Sequence, residues 1–133
     1  MPKQESKLEL EQRAERIQTT IALLREQLSE IEAEGVVAPP GCYVARYQAK
    51  GAKHHYWYYQ LKATTAIFPK TNKKKEYSRF QHLGKAGSQA HIDGVLAVVR
   101  RVQIDELTKT IDGLNESWSD LYTKEEKVGH RVE

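Results

Sequence analysis

Cysteine occurs once in this 133-residue chain, at Cys42, so no intramolecular disulfide braces the fold. A reducing compartment suits such a chain, and a soluble cytoplasmic protein is expected. No apolar run approaches the ~20 residues that a membrane-spanning helix requires. The opening MPKQESKLELEQ has no apolar signal-peptide stretch after its basic residue. Metal-ligand spacing is missing too: His54, His55, His82, His91 and Cys42 form neither a C-x-x-C nor an H-x-x-x-H pattern, and a closed zinc site needs four converging ligands. Catalytic signatures are as scarce. There is no Gly-rich phosphate loop or nucleophile elbow, and the middle of the chain has no paired carboxylates. Cys42 with a histidine is a nucleophilic pair in principle, but a lone cysteine on an alternating strand reads as packing. No enzyme, metal or cofactor is expected.

Acid is what the middle of the chain lacks most. Between Gly41 and Arg101 stand twelve Lys and Arg residues against two acids, Glu76 and Asp93, a net +10. The forty residues before carry −3 and the thirty-two after carry −4, so the overall +3 hides a cationic centre between acidic arms. That layout fits a module that meets a polyanion.

The arms are helical by pattern. Leu10, Ala14, Ile17, Ile21, Leu24, Leu28 and Ile31 alternate spacings of four and three, the apolar seam of a coiled coil. Pro39 and Pro40 cannot continue a helix, so the first one should stop near Gly35, before the linker 36–41. The second arm repeats the device with Ile104, Leu107, Ile111, Leu114, Trp118 and Leu121. Ser88 is a fitting N-cap for a helix running to about Glu126, and Ile92, Leu96 and Val99 make an earlier apolar stripe. Gly94 and Gly113 each weaken that helix by roughly 1 kcal/mol.

Between the arms the periodicity becomes alternating. Residues 42–48, 54–63 and 76–83 read as three antiparallel strands, with a turn at 49–53 and a connection at 64–75 to which Ile67 and Phe68 add cover or extension. The expected fold is α+β: an N-terminal coiled-coil-type helix, a three-stranded antiparallel sheet, and a long C-terminal helix pairing with the first. The corresponding segments are 1–35, 36–103 and 104–133. Alternation assigns faces. One set, Tyr43, Ala45 and Tyr47 with Trp57, Tyr59, Leu61, Ala63, Ser78, Phe80 and His82, is expected to pack beneath Ile92, Val95, Leu96 and Val99. The open face would then hold Arg46, Gln48, Tyr56, Tyr58, Gln60, Lys62, Arg79 and Gln81. Lys50, Lys53, Lys70, Lys73, Lys74, Lys75 and Lys85 in the turns would neutralise phosphate, and Tyr56 and Tyr58 could stack bases.

The run KKKEYSRFQHLGKAGSQAHIDGVLAVV sets a basic strand before Leu83-Gly84, then a turn and a helix opening Ser88-Gln89-Ala90. Over residues 42–102 this resembles the arm-type DNA-binding domain of tyrosine-recombinase integrases and the related plant ethylene-response-factor domain. The resemblance implies a sheet backed by one helix, its open face in the major groove of DNA, with Arg46, Tyr58, Gln60, Lys62 and Arg79 at groove-facing positions. The acidic arms have no counterpart in that family, and the 133 residues hold no catalytic domain such as follows it in integrases. The expectation is a protein gripping duplex DNA, a small regulator or accessory factor of a mobile element, forming a homodimer or meeting a protein partner through its arms. RNA shares the electrostatics. A protein–protein adaptor without nucleic-acid binding is the alternative, and what separates the two is whether the +10 surface stays free or is quenched by the molecule's own acids.

Overall fold

The computed structural model describes residues 5–51, 54–71 and 75–123. Its elements run α1 (Lys7–Glu34), β1 (Tyr43–Lys50), β2 (His55–Lys62), β3 (Phe68–Pro69), β4 (Tyr77–Ser78), β5 (Phe80–Lys85) and α2 (Gln89–Asp120). The fold is α+β, and no helix among the described residues is long and apolar enough to cross a membrane. The chain divides into a helical unit, taken from residues up to Ala33 and from Ile104 onward, and a sheet unit, Glu34–Gln103.

In the helical unit, α1 begins at Ser6, whose Oγ accepts the Glu9 N–H at 3.1 Å, the N-cap geometry that satisfies a first-turn donor. The helix ends at Glu34 as the prolines require. The heptad seam does what its spacing predicts: Ala14 and Ile21 of α1 are buried, as are Ile104 and Ile111 of α2. The helices pair antiparallel within one chain, because Leu10 and Ile17 line a groove with Ser117 and Leu121, while Arg25 and Leu28 meet Thr108 and Ile111. The alternate seam residues, among them Ile17, Leu24, Leu107, Leu114 and Trp118, stay half-buried. Two helices alone cannot enclose a seam. The α2 helix stops at Asp120, short of the expected Glu126; Leu121 and Tyr122 donate to the carbonyls of Trp118 and Ser119 in a closing turn.

In the sheet unit the strand order is β1-β2-β5, antiparallel throughout, with β3 and β4 forming a separate two-stranded ribbon. The expected third strand is therefore broken at Arg79. The core comprises Ala38, Cys42, Leu61, Ala63, Phe68, Leu83 and Ala97, with Val44, Tyr59 and Val98 packed against it. Ser88 caps α2 as expected, its Oγ accepting the His91 N–H at 3.2 Å. The helix lies close to the sheet because small residues face it. A Cβ on Gly94 would stand 2.7 Å from Leu83 Cδ1, so only glycine allows this approach. The linker is strapped to the same helix: the Ala38 N–H donates to the Ala97 carbonyl, and the Arg101 Nε–H donates to the Ala38 carbonyl at 2.8 Å.

This packing corrects the expected helix face. Ile92, Leu96 and Val99 are 42%, 44% and 45% exposed and do not cover the sheet. The covering face is His91, Gly94, Val95, Ala97 and Val98. Tight helix–sheet packing selects small residues over long ones, and the longer stripe is left outward.

Candidate nucleic-acid interface

Directly opposed residues in an antiparallel pair point to the same side, so the register fixes each face. Val44 opposes Leu61, Arg46 opposes Tyr59 and Gln48 opposes Trp57; Ala45 opposes Gln60 and Tyr47 opposes Tyr58. Leu61 and Tyr59 belong to the core beneath α2. Val44, Arg46 and Gln48 therefore lie on the helix side, and Tyr43, Ala45 and Tyr47 on the open side. Both assignments for β1 are the reverse of the expectation. The same correction holds for β5. Phe80 opposes Lys62 and His82 opposes Gln60, so Phe80 and His82 are on the open face, while Gln81 opposes Leu61 on the helix side. A register shift follows at Leu83-Gly84. Gly84 sits there at φ +104°, a conformation that suits glycine in a β-bulge, and Lys85 returns to the open side opposite Tyr58.

The physical reason for the reversal lies in the residues themselves. The side under a closely docked helix takes compact apolar groups, here Cys42, Val44, Leu61, Ala63 and Leu83. Tyrosines carry a hydroxyl that must stay hydrogen-bonded or wet, so they go to the solvated face. For β2 the expected division holds: Tyr59, Leu61 and Ala63 turn inward, and Tyr56, Tyr58, Gln60 and Lys62 outward. Trp57 has the inward parity but is 43% exposed and fills no core. The Arg46 guanidinium carbon lies 4.1 Å above its ring, so this pair caps the helix-side end of the hairpin.

The open face is thus an aromatic floor with cations set into it. Tyr47 and Tyr58 stack with centroids 5.9 Å apart and planes 24° from parallel. The Tyr47 hydroxyl is 3.0 Å from His82 Nδ1, and the His82 ring lies 5.7 Å from that of Tyr58. Around this centre Tyr43, Tyr56 and Phe80 are 52%, 40% and 38% exposed. Lys62 Nζ and the Arg79 guanidinium each lie 5.5 Å from the Phe80 centroid, and Lys85 Nζ lies 5.2 Å from that of Tyr56. No ion pair among the described residues engages Lys62, Lys75, Arg79 or Lys85; Lys70 pairs with Glu76 at 3.7 Å. Beside Phe80 and His82 the sheet edge and the β3–β4 ribbon enclose an open cleft of about 560 Å³, lined also by Phe68, Pro69, Lys70, Thr71, Glu76, Ser78 and Gln81.

Of the twelve sequence-predicted site residues, Tyr56, Tyr58, Gln60 and Lys62 come together on this face. The Arg79 guanidinium reaches the Phe80 ring from the break before β5. Arg46, Gln48 and Gln81 are on the opposite side. Lys75 sits in the connection before β4, and Lys53, Lys73 and Lys74 lie outside the described residues. The sequence reading puts Tyr43, Tyr47, Phe80 and His82 on the packed side and Lys85 in a turn beside the open face; the register puts all five on the open face. The clue was available in Cys42 and Val44, a compact apolar pair two apart that marks the inward parity of β1.

Burial pushes the Cys42 thiol pKa up, opposed by the weaker field of Arg101, so the thiol is held protonated rather than activated. His91 stacks on Tyr59 at 3.8 Å and its Nδ1 accepts the Gly87 N–H, a packing role at the helix start. Among the described residues no three His, Cys, Asp or Glu side chains cluster as metal ligands. No protein-family model, curated protein or solved structure matches this chain.

Proposed function

We propose that this protein binds nucleic acid on the open face of its three-stranded sheet. One observation carries the reading: among the described residues, the open pleat bears aromatic rings and cations that no ion pair engages, and its strands hold no carboxylate. Within Glu34–Gln103 the acids are Glu34, Glu76 and Asp93. Glu76 pairs with Lys70, and Asp93 accepts from the Gln89 amide on α2. Neither neutralises Lys62 or Lys85.

Aromatic side chains with interleaved cations suit a polyanion that also presents flat apolar groups, which is the chemistry of a nucleic acid rather than of an acidic peptide. Lys62, Lys85 and Arg79 hold the phosphates, and the rings hold the bases. A cation over an exposed ring is worth about 0.5–1 kcal/mol, whereas a base on the same ring is worth about 1–3 kcal/mol. An arriving base therefore displaces the cation, which is then free for phosphate. Arg100 and Arg101 take no part, because they donate to the linker carbonyls of Val36 and Ala38.

The test is a salt titration of binding to labelled DNA and RNA. Engagement of roughly three phosphates gives a log–log slope between about −2 and −3. A Lys62→Ala/Lys85→Ala variant should weaken binding and flatten the slope by between one and two. Absence of binding to every nucleic acid at low salt would overturn the proposal.

A further inference from the structure

We infer that the open face takes unpaired nucleic acid, a single strand whose bases lie flat on its tyrosine and phenylalanine rings. This rests on the nucleic-acid reading and narrows its ligand. In a duplex the flat face of each base is covered by its neighbours, and a protein in the groove meets only base edges and methyl groups. Edge reading needs long donors; the pairing register turns Arg46 and Gln48 away and leaves Gln60, Lys62 and Lys85 set among rings. The open face offers chiefly rings, and rings have nothing to stack on in an intact groove.

The arrangement is also prepared in advance. The Tyr47–Tyr58 stack and the Tyr47–His82 contact hold three rings of adjacent strands in one floor before any ligand arrives. Ordering that floor costs nothing at the moment of binding. Phe80 and Tyr56 flank it on opposite sides, each with a lysine poised above its ring. Those lysines mark where a base belongs and where the adjoining phosphate goes once the base is seated. Past Phe80 the open cleft is within the about 300–1,000 Å³ typical of small-ligand sites, giving a terminal base room to turn in. The strand runs across the pleat from the Tyr56 side to that cleft, and covers about three bases.

The experiment uses the full chain and fluorescence anisotropy at one fixed salt concentration. Its probes are an oligothymidylate, an oligouridylate, a duplex of the same length and an abasic oligomer of the same length. The single strands should bind about tenfold or more tighter than the duplex. The abasic oligomer, which keeps every phosphate, should fall to the duplex level or below. Tyr43→Leu, at an exposed edge-strand site, and Phe80→Ala should each lower single-strand affinity about tenfold and leave duplex affinity unchanged. Tyr58→Phe, which keeps the ring, should stay within about twofold of wild type. The thymidylate and uridylate arms tell DNA from RNA. Duplex binding as tight as single-strand binding, or an abasic oligomer bound as well as an intact one, overturns the inference and leaves the nucleic-acid reading standing. No binding by any probe overturns both.

Discussion

Gly94 and Gly113 lie on the same helix, and alanine should act on them with opposite sign. In an open helical site the exchange of glycine for alanine gains about 1 kcal/mol of propensity. Gly113 is such a site, exposed and with no atom within 4 Å of an added Cβ. At Gly94 the added Cβ would stand 2.7 Å from Leu83 Cδ1 and 3.0 Å from its Cδ2. Leu83 is itself 8% exposed and enclosed by the core, so its methyls cannot swing into solvent. Forcing one methyl into a filled core costs about 1–3 kcal/mol. Overpacking outweighs propensity, and Gly94→Ala should destabilise by about 1 kcal/mol while Gly113→Ala stabilises by up to about 1 kcal/mol. Urea unfolding followed by circular dichroism reads both, with midpoints moving apart at an unchanged m-value. A Leu83→Val background removes the conflicting methyl, so there the penalty of Gly94→Ala should shrink or vanish. Equal stabilisation by both alanines would refute the close approach of α2 to the sheet.

Burial raises the Cys42 thiol pKa, so the folded state keeps its proton to higher pH than the unfolded chain. The stabilisation is complete below the unfolded thiol value of about 8.5 and is lost as pH rises through the folded value. The urea midpoint should therefore fall above about pH 8.5 by more in wild type than in Cys42→Ala, and iodoacetamide should label the native thiol far more slowly than the unfolded one. The half-buried Ile17, Leu24, Leu107 and Leu114 fit burial against a second copy. Sedimentation equilibrium should then give twice the 15.3 kDa chain mass, and Leu24→Lys/Leu107→Lys should return it to that of one chain.

Much of the architecture was legible because local patterns and tertiary burial agree along the helices. Spacings of four and three fixed which positions of α1 and α2 meet, and Pro39-Pro40 and Ser88 fixed where helices end and begin. The sheet faces were less legible. Tyr43, Ala45 and Tyr47 alternate as convincingly as Cys42 and Val44, and only the neighbouring helix decides between them. That helix docks through Gly94 and Ala97, residues whose small size gives no amphipathic signal, so the stronger stripe of Ile92, Leu96 and Val99 pointed to the wrong face. In the site, β2 was read correctly because Leu61 and Ala63 mark its inward side without a rival. Phe80 and His82 were assigned to the wrong face because the bulge at Leu83-Gly84 and the break at Arg79 interrupt simple alternation.

The central claim is that the aromatic side of the sheet, and not the helix side, holds the nucleic acid. Two double variants decide it in one binding assay on a labelled single strand. Tyr58→Leu/Lys62→Ala removes a ring and a cation from the open face, and Arg46→Ala/Trp57→Leu removes the corresponding pair from the other side. Affinity should fall more than about thirtyfold in the first and stay within about threefold of wild type in the second. Loss in the second with retention in the first would contradict the account.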